Sequence, residues 1–255
     1  MRFASLGSGS QGNCLIVEAG QTRLMVDGGM TIRETERRLE RLGLAPADLA
    51  GIAVTHEHSD HIDGVFPFAR KHGLRVYLTY GTLRAALGDT LPDCEVSVID
   101  SHDPFAVGDL EVHPFPVPHD AREPVQYVFG DGASRLGVLT DVGASTPHIE
   151  AMLSDCDALV LECNHDPDML SRSKYPSWLR ARISGPYGHL ANEVAAQILG
   201  RLDYRRLKHI VAAHLSEQNN TPALAQAALA QVLGCTSDWV VAASQEAGFD
   251  WRQMR

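Results

Sequence analysis

Gly51-Ile52-Ala53-Val54-Thr55, followed at once by His56-Glu57-His58-Ser59-Asp60-His61, is the stretch on which the reading of this chain turns. The first five residues form an apolar run and are read as a buried strand. His56, His58, Asp60 and His61, all able to bind a metal, then fall within six positions. Alternate residues leaving a strand point to the same side, so His56 and His58 can meet one ion. The turn that must come next brings Asp60 and His61 toward a second position. Imidazole nitrogen and carboxylate oxygen suit Zn²⁺, Mn²⁺ or Fe²⁺. A polar loop with surface histidines is the bland alternative, and it leaves this density of ligands unexplained.

One such cluster cannot fill two coordination spheres, so other strand ends must contribute. His119 lies in Val117-Pro118-His119-Asp120, after a strand ending near Phe115. Asp141 ends the apolar run 136–140, and His214 ends the run 209–213. Each taken singly reads as a capping or surface residue. Together they repeat one pattern, a strand end carrying His or Asp.

Further strands are predicted over residues 3–6, 14–17, 23–26, 76–79, 95–99, 110–115, 125–129 and 158–162. Helices are predicted after a Thr31 cap, over 62–72, near 147–153, over 192–202, and over 222–233 with Pro222 at the first turn. Strands precede helices in two rounds, which predicts an α/β chain of two packed mixed sheets with helices outside. No linker or repeat interrupts it, so residues 1–255 are read as a single domain.

Composition is that of an ordinary globular protein, 44% hydrophobic and 21% charged. No apolar run approaches the roughly 20 residues of a membrane span, and the N-terminus does not resemble a signal peptide. A cytoplasmic location with no membrane partner is expected. The five cysteines are scattered, without a C-x-x-C pair, and are read as reduced. The net charge of −10 argues against a generally basic nucleic-acid binder. The segment 169–188 is the exception. It has no acidic residue and carries Arg172, Lys174, Arg180 and Arg182, with Tyr175, Trp178 and Tyr187 available to stack on bases. A solvated basic loop is the plain alternative.

The pattern His56-x-His58-x-Asp60-His61 resembles the H-x-H-x-D-H signature of the metallo-β-lactamase superfamily. The resemblance implies an αββα sandwich with His119, Asp141 and His214 as later ligands, Asp141 bridging two ions, and Asp27 as a structural acid beneath the site. The stretches Ser8-Gly9-Ser10-Gln11-Gly12-Asn13, Leu161-Glu162-Cys163-Asn164-His165-Asp166, Gly188-His189-Leu190-Ala191-Asn192 and Ala213-His214-Leu215-Ser216-Glu217-Gln218-Asn219-Asn220 resemble the WalJ/YycJ branch. Ala191 departs from the Ser expected there. That branch implies 5′→3′ exonuclease action on single-stranded DNA and a role in DNA repair, with two divalent ions, Mn or Zn, and Fe as a further fit. His56, His58 and His119 would hold one ion, and Asp60, His61 and His214 the other.

The same resemblance makes Asp60, His189 and Glu162 the catalytic candidates. Asp60 would orient the attacking hydroxide, and His189, paired with Glu162, would protonate the leaving oxygen. His189 also stands before a helix whose N-terminus favours an anionic phosphate, and a plain helix cap is the alternative. Ser10, Asn13, Arg172, Lys174 and Arg182 are the substrate-binding candidates, the Gly-Ser turn by cradling phosphate through backbone N–H groups or else as a simple hairpin. His165 is read either as a substrate or ligand contact or as a loop histidine. His72, His102, His113, His148 and His209 are read as structural or exposed. Two readings stay open beside the nuclease: a small-molecule ester, thioester or lactone hydrolase of the same fold, and a non-catalytic metal-binding regulatory partner.

Overall fold

A computed structural model describes residues 1–254. The first half opens with antiparallel strands β1 (Arg2–Gly7), β2 (Cys14–Ala19) and β3 (Thr22–Val26). Helix α1 (Ile32–Arg41) leads to β4 (Gly51–Ala53). The short α2 (Ser59–Ile62) and α3 (Val65–His72) lead to β5 (Val76–Thr79), and α4 (Tyr80–Leu87) leads to β6 (Val96–Ile99). Strands β3 to β6 run parallel.

The second half repeats the plan. Strands β7 (Phe105–Val107), β8 (Leu110–Pro116), β9 (Val125–Gly130) and β10 (Arg135–Leu139) are antiparallel neighbours. Helix α5 (Pro147–Leu153) leads to β11 (Ala158–Glu162). Then α6 (Pro167–Arg172), α7 (Ser177–Ile183) and α8 (Asn192–Arg201) precede β12 (His209–Ala213), and α9 (Pro222–Leu233) precedes β13 (Val241–Ala242). Strands β10 to β13 are parallel. The last strand, β14 (Phe249–Gln253), returns to pair with β1. The sheets run β14-β1-β2-β3-β4-β5-β6 and β13-β12-β11-β10-β9-β8-β7.

Period-two alternation makes the layers. Leu15, Val17, Leu24 and Val26 face the second sheet, with Tyr127, Phe129, Val138 and Val160 opposite. Ile16 and Met25 face the other way, under Leu39 of α1 and Phe68 of α3. Leu159 and Leu161 meet Ile149, Ile198 and Leu229 of α5, α8 and α9. Both faces of each central strand are buried, which is why they read as unbroken apolar runs.

Some boundaries differ from expectation. The strand predicted over 51–55 leaves the ladder after Ala53, and Val54 to His58 continue without regular structure. The helix predicted over 62–72 starts earlier, at Ser59, and breaks at Gly64. A Cβ at Gly64 would lie 1.9 Å from the Met30 carbonyl, so the break lets the chain press against the loop that follows β3. Strands β7, β13 and β14 and helix α4 were not predicted. The basic segment 169–188, whose plain reading was a loop, contains most of α6 and all of α7. No helix among the described residues is long and apolar enough to cross a membrane.

Candidate metal centre

The site lies where strands of both sheets end. Asp27 follows β3, His56 follows β4, Asp141 follows β10, Glu162 ends β11 and His214 follows β12. Open α/β sheets generally place ligands at the carboxyl ends of their parallel strands. Asp27, Asp141 and His214 have positive φ, 59°, 53° and 53°. A left-handed residue is uncommon outside glycine, though Asp and His tolerate it better than most. Three such residues in one cluster turn side chains inward that a continuing strand would send elsewhere.

The structure brings all seven expected ligands together. His58 Nδ1 lies 3.0 Å from His56 Nε2 and 3.2 Å from His119 Nε2. Nitrogens sharing a tetrahedral ion at roughly 2.0–2.1 Å would stand about 3.3 Å apart. Asp60 Oδ2 lies 3.4 Å from His61 Nε2 and 3.3 Å from His214 Nε2. Asp141 sits between the two groups: its Oδ2 is 3.0 Å from His61 Nε2 and its Oδ1 is 4.0 Å from His119 Nε2. Asp141 Oδ2 is buried and faces His61 Nε2. A buried carboxylate is costly unless its charge is matched, and a cation shared by the two groups would match it.

The outer partners fix which nitrogen each imidazole offers. His119 Nδ1 donates to the Gly188 carbonyl at 3.1 Å, leaving Nε2 free. His58 Nε2 donates to the Asp120 carbonyl at 3.2 Å, so this residue offers Nδ1. His61 Nδ1 donates to Asp27 Oδ2 at 2.8 Å. Thr55 Oγ1 lies 2.9 Å from Asp27 Oδ2 and 2.9 Å from His56 Nδ1, so one hydroxyl links His56 to the acid beneath the site. Every free nitrogen points at the common centre, and the donor set fits divalent cations.

Glu162 holds two histidines. Its Oε1 accepts from His189 Nδ1 at 2.8 Å and from His214 Nδ1 at 3.2 Å. Its Oε2 accepts from the backbone N–H of Val142 and Leu190. Four donors fill the carboxylate, so although Asp141, Glu162, His189 and His214 also cluster within metal-binding range, Glu162 orients ligands and leaves no lone pair for an ion. His189 does not cap α8; the N-cap is Ala191, whose side chain makes no capping bond.

The electrostatics separate the two cradles. Burial pushes His56 and His119 below the ordinary imidazole range. Burial opposes charge on His61 and His214 as well, but carboxylates outweigh it. Asp141, Asp60 and Asp27 hold His61 well above its usual value, and Asp141, Asp60 and Glu162 raise His214 to about 10. Burial would raise Asp60 and Asp141, yet His61 and His214 hold both low. Without metal, His61 and His214 therefore keep protons at neutral pH, and cations must displace them. Binding an ion at His56 and His119 is expected to release few protons from them. Filling the Asp60–His61–His214 cradle should release about two, with affinity rising as pH rises. Calorimetry in buffers of different ionisation enthalpy checks this; two steps with equal proton release would contradict it.

The substrate-binding candidates fare unevenly. Asn13 is buried beneath the ligands: its Nδ2 reaches Asp60 Oδ2 and His61 Nε2, both at 3.0 Å, and its Oδ1 accepts from Gly9 N. The turn is no phosphate cradle, because Gly7, Ser8, Gly9, Gln11, Gly12 and Asn13 spend their N–H groups within the protein. Ser10 is exposed. Arg182 borders the site but is paired with Asp120 at 2.6 Å. Arg172 and Lys174 are exposed and touch none of the ligands. His165 is buried with an unpartnered Nδ1 and touches no ligand. Sequence reasoning missed Thr55 and the Asp120 carbonyl; a hydroxyl beside the first ligand was the only signal for the former.

A sheet sandwich with histidines and aspartates gathered at its strand ends defines a metallo-β-lactamase-type site, and the family model for the β-lactamase superfamily domain matches residues 22–214. The chain belongs to this family. It is 37% identical to exodeoxyribonuclease YycJ of Bacillus anthracis, covering 91% of this chain and 89% of that protein. It is 33% identical to exodeoxyribonuclease WalJ of Streptococcus pneumoniae, covering 88% and 85%. It therefore falls in the WalJ/YycJ branch. The metallo-β-lactamase fold protein YhfI of Bacillus subtilis shares the fold, with a TM-score of 0.75 over 98% of each chain at 15% identity.

Proposed function

We propose that the protein is a metal-dependent phosphodiesterase acting as a 5′→3′ exonuclease on single-stranded DNA, with a role in DNA repair. The observation that carries this reading is the Glu162–His189 pair, 2.8 Å apart, with His189 Nδ1 only 3.5 Å from Asp141. Burial opposes charge on His189, but Glu162 and Asp141 raise it above the usual imidazole range. Burial opposes the Glu162 charge too, yet His189 and His214 lower its carboxyl to about 2. The pair is thus a charged proton donor held at the mouth of a metal cradle.

Two divalent ions, Mn or Zn, are proposed in that cradle, the first on His56, His58 and His119 and the second on Asp60, His61 and His214, with Asp141 shared. Such ions supply Lewis acidity and neutralise charge on the phosphoryl oxygens. Asp60 orients the attacking water. With Nδ1 bound to Glu162, His189 delivers a proton from Nε2 to the leaving oxygen. Trp178 and Tyr187 are 67% and 60% exposed beside the segment that ends at His189, which supports stacking on unpaired bases. Arg172, Lys174 and Arg182 are proposed as outer strand contacts. The two exodeoxyribonuclease relatives support DNA as the substrate, and the 5′→3′ direction rests on the branch resemblance. Five unpaired cysteines agree with the cytoplasm as the place of action. The whole chain, 1–255, is taken as one domain.

The test is digestion of end-labelled single-stranded DNA and RNA with Mn²⁺, Zn²⁺ or chelator. Stepwise release of nucleotides from the 5′ end of DNA is expected, and chelator should stop it. No cleavage of either strand, with hydrolysis of a small ester or lactone instead, would overturn the reading. Metal binding without any hydrolysis would leave a regulator.

A further inference from the structure

We propose that the cleft between α4 and residues 120–124 is a nucleotide subsite, in which Tyr80 stacks on a base of the substrate strand and Arg122 holds the neighbouring phosphate. The inference rests on the nuclease reading and extends it to a place outside the metal cradle.

Tyr80, Gly81, Arg84, Arg122 and Glu123 enclose an open cleft of about 440 Å³. Tyr80 is 61% exposed, an unusual amount for an aromatic ring that nothing in the fold requires at the surface. Arg122 is exposed as well, and its guanidinium makes no hydrogen bond or ion pair among the described residues. In a chain of net charge −10 most arginines are matched to a carboxylate. Arg84 is matched only to Asp89, which is itself almost fully exposed, and such a pair is weak in water. Glu123 also lines the cleft, but its carboxylate is turned to the backbone of α4. Its Oε2 accepts from Gly81 N at 2.6 Å, and its carbonyl accepts from Thr79 Oγ1 at 2.9 Å.

These same bonds set side by side the backbone positions from which Tyr80 and Arg122 project. They clamp residues 122–123 to the start of α4. Gly81 permits the clamp, since a Cβ there would lie 2.5 Å from Glu123 Cβ and 3.0 Å from Arg122 Cγ. The other end of the clamp is fixed to the metal turn. Arg122 N donates to Glu57 Oε1 at 2.6 Å, and the Asp120 carbonyl accepts from the ligand His58. Tyr80 leaves the end of β5 just as His56 follows the end of its neighbour β4. The subsite is therefore one strand over from the first cradle and rigidly joined to it. A base with no fixed hydrogen-bond partner suits a bare aromatic face, and a single arginine suits a single phosphate.

The experiment measures binding of a short phosphorothioate oligothymidylate to the metal-loaded protein by fluorescence anisotropy. Tyr80→Ala should weaken binding by about fivefold or more, while Tyr80→Phe should keep it. Arg122→Ala should lower the slope of log affinity against log salt by about 0.7, the value for one phosphate of a single strand. Hydrolysis of bis(p-nitrophenyl) phosphate, which lacks a strand to bind, should be unchanged in all three variants. Alanine variants that bind like wild type, or that lose the small substrate equally, would overturn the subsite while leaving the nuclease reading intact. A wild-type protein that neither binds nor cleaves oligonucleotide would overturn both.

Discussion

Replacing Asp141 by Asn is expected to lower metal affinity on the order of 10²- to 10³-fold and to abolish measurable phosphodiester hydrolysis, because one partner of a buried charge cluster is removed. The substitution isolates charge from shape. Asn tolerates the left-handed backbone that Asp141 adopts, so the turn after β10 should survive. Asp141 is 2% exposed and faces His61, His189 and His214, so its charge serves that cluster and an ion bound there. Among the seven ligands only Asp60 and Asp141 carry negative charge. Two divalent ions leave a local surplus of about two positive charges, and losing Asp141 raises it to about three. Metal content by mass spectrometry, with circular dichroism to confirm the fold, decides the matter. A variant that keeps its full metal complement and its activity would remove Asp141 from the centre.

The candidate ligands were legible because they follow the ends of apolar runs, singly or, in 56–61, as a cluster. Period-two burial makes such runs visible, and a His or Asp that ends one stands out against them. His119, Asp141 and His214 sit 58, 80 and 153 residues after His61 by sequence number, yet the strand-end pattern joins them. What holds the ligands was less legible. Asn13 looked like a substrate contact in a glycine-rich turn, and only its Nδ2 bonds to Asp60 and His61 reveal a supporting role. Glu162 was assigned to His189 alone, and its second bond, to His214, depends on β11 and β12 lying parallel and in register. Strand β14 escaped notice because Phe249–Gln253 alternates weakly and pairs with β1 from the far end of the chain. Helix α4 was hidden by Gly81 near its start, a residue kept for the Glu123 clamp rather than for helix propensity.

Replacing His189 by Ala is expected to reduce kcat on DNA by about 10²- to 10⁴-fold while metal content stays whole, the usual effect of losing a general acid. The bond from Nδ1 to a Glu162 carboxylate already filled by other donors argues that His189 serves the leaving group and not an ion. Three readouts separate this role from a structural one. A nitrophenolate leaves without being protonated, so hydrolysis of bis(p-nitrophenyl) phosphate should fall far less than hydrolysis of DNA. The alkaline limb of the kcat profile should vanish, because a general acid at Nε2 must hold its proton for the wild-type enzyme to work. Glu162→Gln should behave differently, since Glu162 also steadies His214; that variant is expected to lose metal as well as rate. Equal losses on both substrates would show that His189 is not the acid, and loss of metal from His189→Ala would make it a ligand.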